Sequence, residues 1–206
     1  MEILRILRRL NPHAHTALDF SNPLELLVAT ILSAQCTDVR VNRITPLLFK
    51  KYRNAADYAA ADPAVFQQEI RTAGFFRQKT AAVIGACKII AEKHGGRTPD
   101  RMQDLVELPG VARKTANVVL GSAMGKNEGV AVDTHVRRVA AQRLGLSPQA
   151  SPEKIEQDLM KLLRRKDWTL FSHLIIDHGR KTCTARKPHC PHCPVNRLCP
   201  WAFKVK

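Results

Sequence analysis

Cys183, Cys190, Cys193 and Cys199 crowd one tail segment, with six, two and five residues between successive members. Thiolates are soft ligands, and four in so short a stretch can surround one metal ion or one cluster. Pro191, Pro194 and Pro200 each follow one of these cysteines; they fix φ and discourage helix, stiffening the 183–199 loop. A four-cysteine zinc site is usually built from two separated knuckles. Only Cys190-Pro-His-Cys193 forms one here, but both kinds of centre are made of thiolates, so spacing alone leaves zinc open. A second set of reactive groups lies upstream. Lys114 falls just after Leu108-Pro109-Gly110-Val111-Ala112, and Asp133 stands in Val132-Asp-Thr-His135. A neutral amine is a nucleophile, favoured by the positive end of a helix, and a carboxylate accepts protons or steadies developing positive charge. Taken singly, Lys114 reads as a solvated helix lysine and Asp133 as the N-cap of a helix starting at Thr134.

These groups need elements to hold them. The pattern from Leu105 to Leu108 ends a helix, the Pro109-Gly110 turn follows, and Arg113 to Met124 resumes an apolar helix, giving a helix-hairpin-helix. Gly110 permits close backbone approach, and the next helix offers unpaired N–H groups, so the turn is an anion site that fits a DNA phosphate. Alternating β-branched runs are missing while Ala, Leu, Lys and Arg dominate, which predicts an all-α fold of about ten short helices. Asp62-Pro63, Thr98-Pro99-Asp100 and Ser151-Pro152 are expected to open helices. Val65, Phe66 and Ile70, and then Ile155, Leu159, Leu162 and Leu163, are the core stripes that follow the first and last of these. Gly74, Gly95-Gly96 and Gly145 are expected stops, and Cys36 and Cys87 are expected within apolar helices.

The 33 Lys and Arg against 18 Asp and Glu leave the 206-residue chain at +15, pointing to a polyanionic partner. Arg186 and Lys187, beside the cysteines, are candidate phosphate contacts. No apolar run is long enough to span a membrane. Ile3, Leu4, Leu7 and Leu10 are interrupted by Arg5, Arg8 and Arg9, which suits a core-facing amphipathic helix and not a secretory leader. Without a leader, crowded cysteines argue for metal over disulfides.

Leu108-Pro-Gly-Val-Ala-Arg-Lys-Thr-Ala116, then Val132-Asp-Thr-His-Val136, then the four-cysteine tail, together resemble the endonuclease III family in order and spacing. Leu32-Ser-Ala-Gln-Cys-Thr-Asp38 and Gly74-Phe-Phe-Arg-Gln-Lys79 resemble that family's loops that enter DNA. The resemblance implies a six-helix barrel domain over 16–126 with its hairpin at about 105–124, and an iron-sulfur domain from 1–15 and 127–206. It implies a 4Fe-4S cluster on Cys183, Cys190, Cys193 and Cys199, and an active-site cleft between the domains. It makes Lys114 the nucleophile at C1′ of a flipped nucleoside and Asp133 its helper. Gln35 fills the vacated space, Phe75 is the wedge, and Leu108, Gly110, Val111 and Ala112 meet the backbone. Activity on double-stranded DNA bearing oxidised pyrimidines or abasic sites follows, in a cytoplasmic, nucleoid-associated monomer with no membrane partner. Two departures stand out: Ala112 replaces a second hairpin glycine, tolerable if its φ is negative, and Phe75 replaces a leucine wedge.

Two rivals remain. An adenine mismatch glycosylase of the same superfamily shares the cysteine loop and the aspartate but usually lacks the lysine and carries a further C-terminal domain, whereas this chain ends soon after Cys199. A non-catalytic helix-hairpin-helix module would bind DNA without ever linking to it.

Overall fold

The computed structural model describes residues 1–204. It is helical, with no strand among the described residues, and the chain divides into two units, Thr16–Lys126 and Met1–His15 with the chain from Asn127 on.

In the Thr16–Lys126 unit, α2 (Pro23–Leu32) is the innermost helix. The Asn22 side chain accepts from the Glu25 N–H and Pro23 sits in the first turn, the local chemistry that starts a helix. From Leu26 to Leu32 every residue is buried, because α3 (Asp38–Lys51), α6 (Phe76–Lys93) and α8 (Arg113–Met124) all pack on it. The short helices α4 (Ala55–Ala59), α5 (Pro63–Glu69) and α7 (Met102–Val106) complete the unit. Tyr52, Tyr58 and Phe66 form a ring cluster with centroids 4.9–6.1 Å apart, and α6 sends Val83, Ala86, Cys87 and Ile90 inward at helical spacing.

In the other unit, α1 (Glu2–Leu10) buries Ile3, Leu4 and Leu7 and packs against α11 (Trp168–Lys181). Asn11 at its end donates to Asp177, and Asp167, nearly fully buried, pairs with Arg164 at 3.0 Å and Arg8 at 3.8 Å. Between them run α9 (Thr134–Val136) and α10 (Pro152–Leu162), the latter capped by Ser151 Oγ on the Lys154 N–H. After α9 the chain continues as a π-helix over Arg137–Arg143, closed by the Leu144 N–H on the Val139 carbonyl at 2.8 Å.

Several sequence expectations need correction. Thr98-Pro99-Asp100 opens no helix; α7 starts at Met102 without a side-chain cap, because the Asp100 carboxylate is engaged by Lys126. Leu10, Val65 and Leu162 are exposed: each lies at the edge of its stripe, where no neighbouring element covers it. Cys36 stands in a bend after α2, not in a helix, whereas Cys87 is buried in α6.

Candidate active site and cysteine loop

The hairpin is built from α7 and α8. The Leu108 N–H bonds the Leu105 carbonyl and the Val111 N–H bonds the Leu108 carbonyl, both at 3.1 Å, folding the Pro109-Gly110 turn tightly. Leu105, Leu108, Val111 and Ala116 are buried, so the side chains of Leu108 and Val111 anchor the turn instead of facing outward. Gly110 has φ +75°, and a Cβ there would lie 2.7 Å from the Ala82 Cβ. Only glycine satisfies both the left-handed backbone and the close approach of the turn to α6. Gly85, one turn on in α6, leaves room for the Pro109 ring at 3.3 Å from where its own Cβ would stand.

Ala112, at the start of α8, has φ −86°, an ordinary value for alanine, and no side chain caps this helix. Around this uncapped helix start Gly110, Ala112 and Lys114 are all exposed. The start of a helix can receive an anion. Lys114 is exposed in the first turn of α8.

Asp133 begins α9. Its Oδ1 accepts from the Val136 N–H at 2.7 Å, which makes it the helix cap and fixes the carboxylate's orientation. The neighbouring His135, whose pKa burial lowers, shares a 3.1 Å contact with the Arg138 guanidinium. Lys114 belongs to the first unit and Asp133 to the second.

Gln35 and Phe75 share an unusual backbone. They have φ of +53° and +47° and are exposed, and apart from Phe203 no other described non-glycine residue has positive φ. Such strain persists only where surroundings impose it, and it concentrates at functional loops. Phe76, by contrast, is half-buried against the core.

All four tail cysteines line one cavity with Arg143, His178 and Val195. The loop around them is fixed by short turns: the Cys183 N–H on the His178 carbonyl at 2.8 Å and the Cys193 N–H on that of Cys190 at 3.2 Å. Asn196 Nδ2 also donates to the Cys190 carbonyl at 3.1 Å. Burial pushes the Cys193 and Cys199 thiols up, and the neighbouring cysteines push them further. Four thiolates that oppose one another's ionisation need a cationic centre to coexist. All four soft donors face one cavity, a donor set that fits a thiolate-bound metal centre.

Sequence reasoning missed the groups behind this loop. Arg143 is buried and donates to Cys183 Sγ at 3.1 Å and to the carbonyls of Cys183, Thr184 and Ala185, while Arg138 donates to those of Gly179 and Cys183. Their five-residue separation is the one available signal, and it signifies only in a π-helix. His178 Nε2 lies 3.7 Å from Cys193 Sγ. Arg186 and Lys187 are exposed on the loop.

Comparison with known proteins agrees with this arrangement. Residues 28–165 match the HhH-GPD superfamily of base excision DNA repair proteins, and residues 183–199 match the iron-sulfur binding domain of endonuclease III. The endonuclease III of a Synechocystis strain is 53% identical over 98% of this chain and 91% of its own. The chain belongs to the endonuclease III family. The Escherichia coli K12 endonuclease III is 42% identical over all of this chain and 96% of its own. A non-covalent endonuclease III–DNA complex superposes with a TM-score of 0.93 at 41% identity, over 98% of this chain and 94% of that one. A trapped endonuclease III–DNA covalent intermediate gives 0.92 with the same identity and coverage. The all-helical fold with its iron-sulfur domain is therefore that of endonuclease III, a base excision DNA glycosylase and abasic-site lyase, and the cofactor is a 4Fe-4S cluster. No described helix is long and apolar enough to cross a membrane.

Proposed function

We propose that this chain binds duplex DNA, removes oxidised pyrimidines from it and nicks the resulting abasic site through Lys114. The observation that carries the reading is the exposed Lys114 amine in the uncapped first turn of α8, beside a glycine turn shaped to receive a phosphate. A relative of the same fold has been solved as a trapped covalent intermediate with DNA, which is what an amine nucleophile produces.

The neutral Lys114 amine forms a bond to C1′ as the glycosidic bond breaks, the bonding pair leaving with the base, which takes up a proton. Asp133, held by its cap bond, accepts the proton released by the attacking nitrogen and stabilises positive charge on the sugar. Opening of the ring gives an imine. Loss of a C2′ proton and departure of the 3′ phosphate oxygen complete β-elimination, and water hydrolyses the imine to restore the amine. The base must leave the stack for this chemistry; Gln35 enters the gap and Phe75 wedges the step open. Gly110, Ala112 and the first turn of α8 hold a phosphate, with Arg186 and Lys187 adding contacts. Cys183, Cys190, Cys193 and Cys199 hold the cluster, which supplies structure to their loop. Residues 16–126 form the barrel domain and 1–15 with 127–206 the cluster domain. The enzyme works as a monomer in the cytoplasm, on the nucleoid.

Borohydride reduces an imine to a permanent bond. A duplex with one abasic site should be trapped by the native protein and not by Lys114→Ala. If neither protein is trapped while both bind the DNA, the lyase reading is wrong.

A further inference from the structure

Lys79, the last residue of the Gly74-Phe-Phe-Arg-Gln-Lys79 stretch, is among the most buried charged residues, at 4% exposure. Its Nζ donates to the Leu32 carbonyl at 2.7 Å and to the Ala73 carbonyl at 2.8 Å. Its own N–H bonds the Phe75 carbonyl at 3.0 Å.

Those acceptors occupy telling positions. Leu32 ends α2, and its carbonyl is one of the last-turn group left without a helical partner, carrying the negative end of the helix dipole. Ala73 ends the 3₁₀ turn Arg71–Ala73. Three residues beyond Leu32 stands Gln35, and two beyond Ala73 stands Phe75, both exposed and both left-handed. A single ammonium thus joins the roots of the two loops whose tips are strained. Burial lowers the Lys79 pKa, so a cation retained there must be balanced by its carbonyl acceptors.

We propose that Lys79 is a positioning residue: it clamps the roots of the Gln35 and Phe75 loops at a fixed separation, preorganising both tips to enter the duplex together. This rests on the reading of Gln35 and Phe75 as inserting residues. Neither tip could keep its left-handed backbone cheaply if its root were free, and misplacement of such tips by about 1 Å costs on the order of a hundredfold in rate.

The test uses the full-length, cluster-loaded protein with Lys79→Met and Lys79→Gln. Hydrogen exchange in the absence of DNA should show the amides of 33–37 and 75–78 exchanging about tenfold faster in both variants while α8 is unchanged. Single-turnover removal of thymine glycol should fall by about tenfold or more, and the fluorescence rise of a 2-aminopurine beside the lesion should be lost. Affinity for undamaged duplex and its salt dependence should hold. In a Gln35→Ala, Phe75→Ala background, Lys79→Met should cost little further, since it acts through those tips. Unaltered exchange, a full additive loss in that background, or unfolding of both variants overturns the clamp. A native protein that binds DNA but is never trapped at an abasic site sinks the functional reading instead, and the exchange result still decides the clamp.

Discussion

Gly110→Ala separates two costs that the hairpin imposes on one residue. At φ +75°, an L side chain in the left-handed region costs about 1–2 kcal/mol. The new Cβ would also meet the Ala82 Cβ at 2.7 Å, far inside the 3.5–4.0 Å or so at which carbons attract, and forced overpacking adds about 1–3 kcal/mol. The sum is about 2–5 kcal/mol. Gly125 is the internal control, because its φ is +66° and nothing lies within 4 Å of its added Cβ; Gly125→Ala should cost only the backbone part. Thermal unfolding at about 2–4 °C per kcal/mol resolves the difference. Ala82→Gly, which costs about 1 kcal/mol by itself in mid-helix, should relieve the clash when combined with Gly110→Ala. The cycle should then show a coupling of about 1–3 kcal/mol. Abasic-site DNA should bind more weakly to Gly110→Ala but normally to Gly125→Ala. Equal costs for the two glycine variants, or additivity with Ala82→Gly within about 0.5 kcal/mol, would refute the reasoning.

Asp133→Asn keeps an oxygen for the Val136 N–H and should melt normally while base removal drops about a hundredfold or more; Asp133→Ala should lose the cap as well, about 1 kcal/mol. An Asn variant excising at the native rate would remove Asp133 from the chemistry. Arg186→Ala and Lys187→Ala should each reduce the slope of log affinity against log salt by about 0.9, leaving borohydride trapping at low salt intact; unaltered slopes would place both side chains off the DNA. Burial, with His15 nearby, holds the His173 pKa down at about 4, against about 6.5 in the unfolded chain. The unfolded state therefore binds the proton first: stability is full above pH 6.5 or so and falls by up to about 3 kcal/mol as pH drops toward 4. Chemical denaturation across that range should show the loss, and His173→Gln should flatten it.

The parts of the fold that depend on neighbouring residues were legible in the sequence. Asp62-Pro63 and Ser151-Pro152 start helices because cap and proline act within one turn, and the hairpin could be read because its turn residues are contiguous. Thr98-Pro99-Asp100 misled because the Asp100 carboxylate is claimed by Lys126, 26 residues away. Leu162 misled because periodicity marks a stripe without saying how wide a neighbour will cover it. Lys79 could not be found at all, since its burial is set by Leu32 and Ala73, distant in sequence and presenting only backbone. Arg143 was hidden for another reason: helical spacing was assumed to be α, and under that repeat it would not share a carbonyl with Arg138.

The π-helix over Arg137–Arg143 makes the winding of the backbone itself part of the specification here. Both guanidiniums reach the Cys183 carbonyl because a wider turn aligns residues five apart. Were the same residues wound at the ordinary α repeat, Arg143 would stand about 140° round the axis from Arg138 and leave the cysteine loop even with every arginine and cysteine retained; with one residue fewer, the ordinary repeat would instead keep the pair on one face. The winding of this stretch, as well as the identity of its two arginines, is therefore what a redesign must preserve.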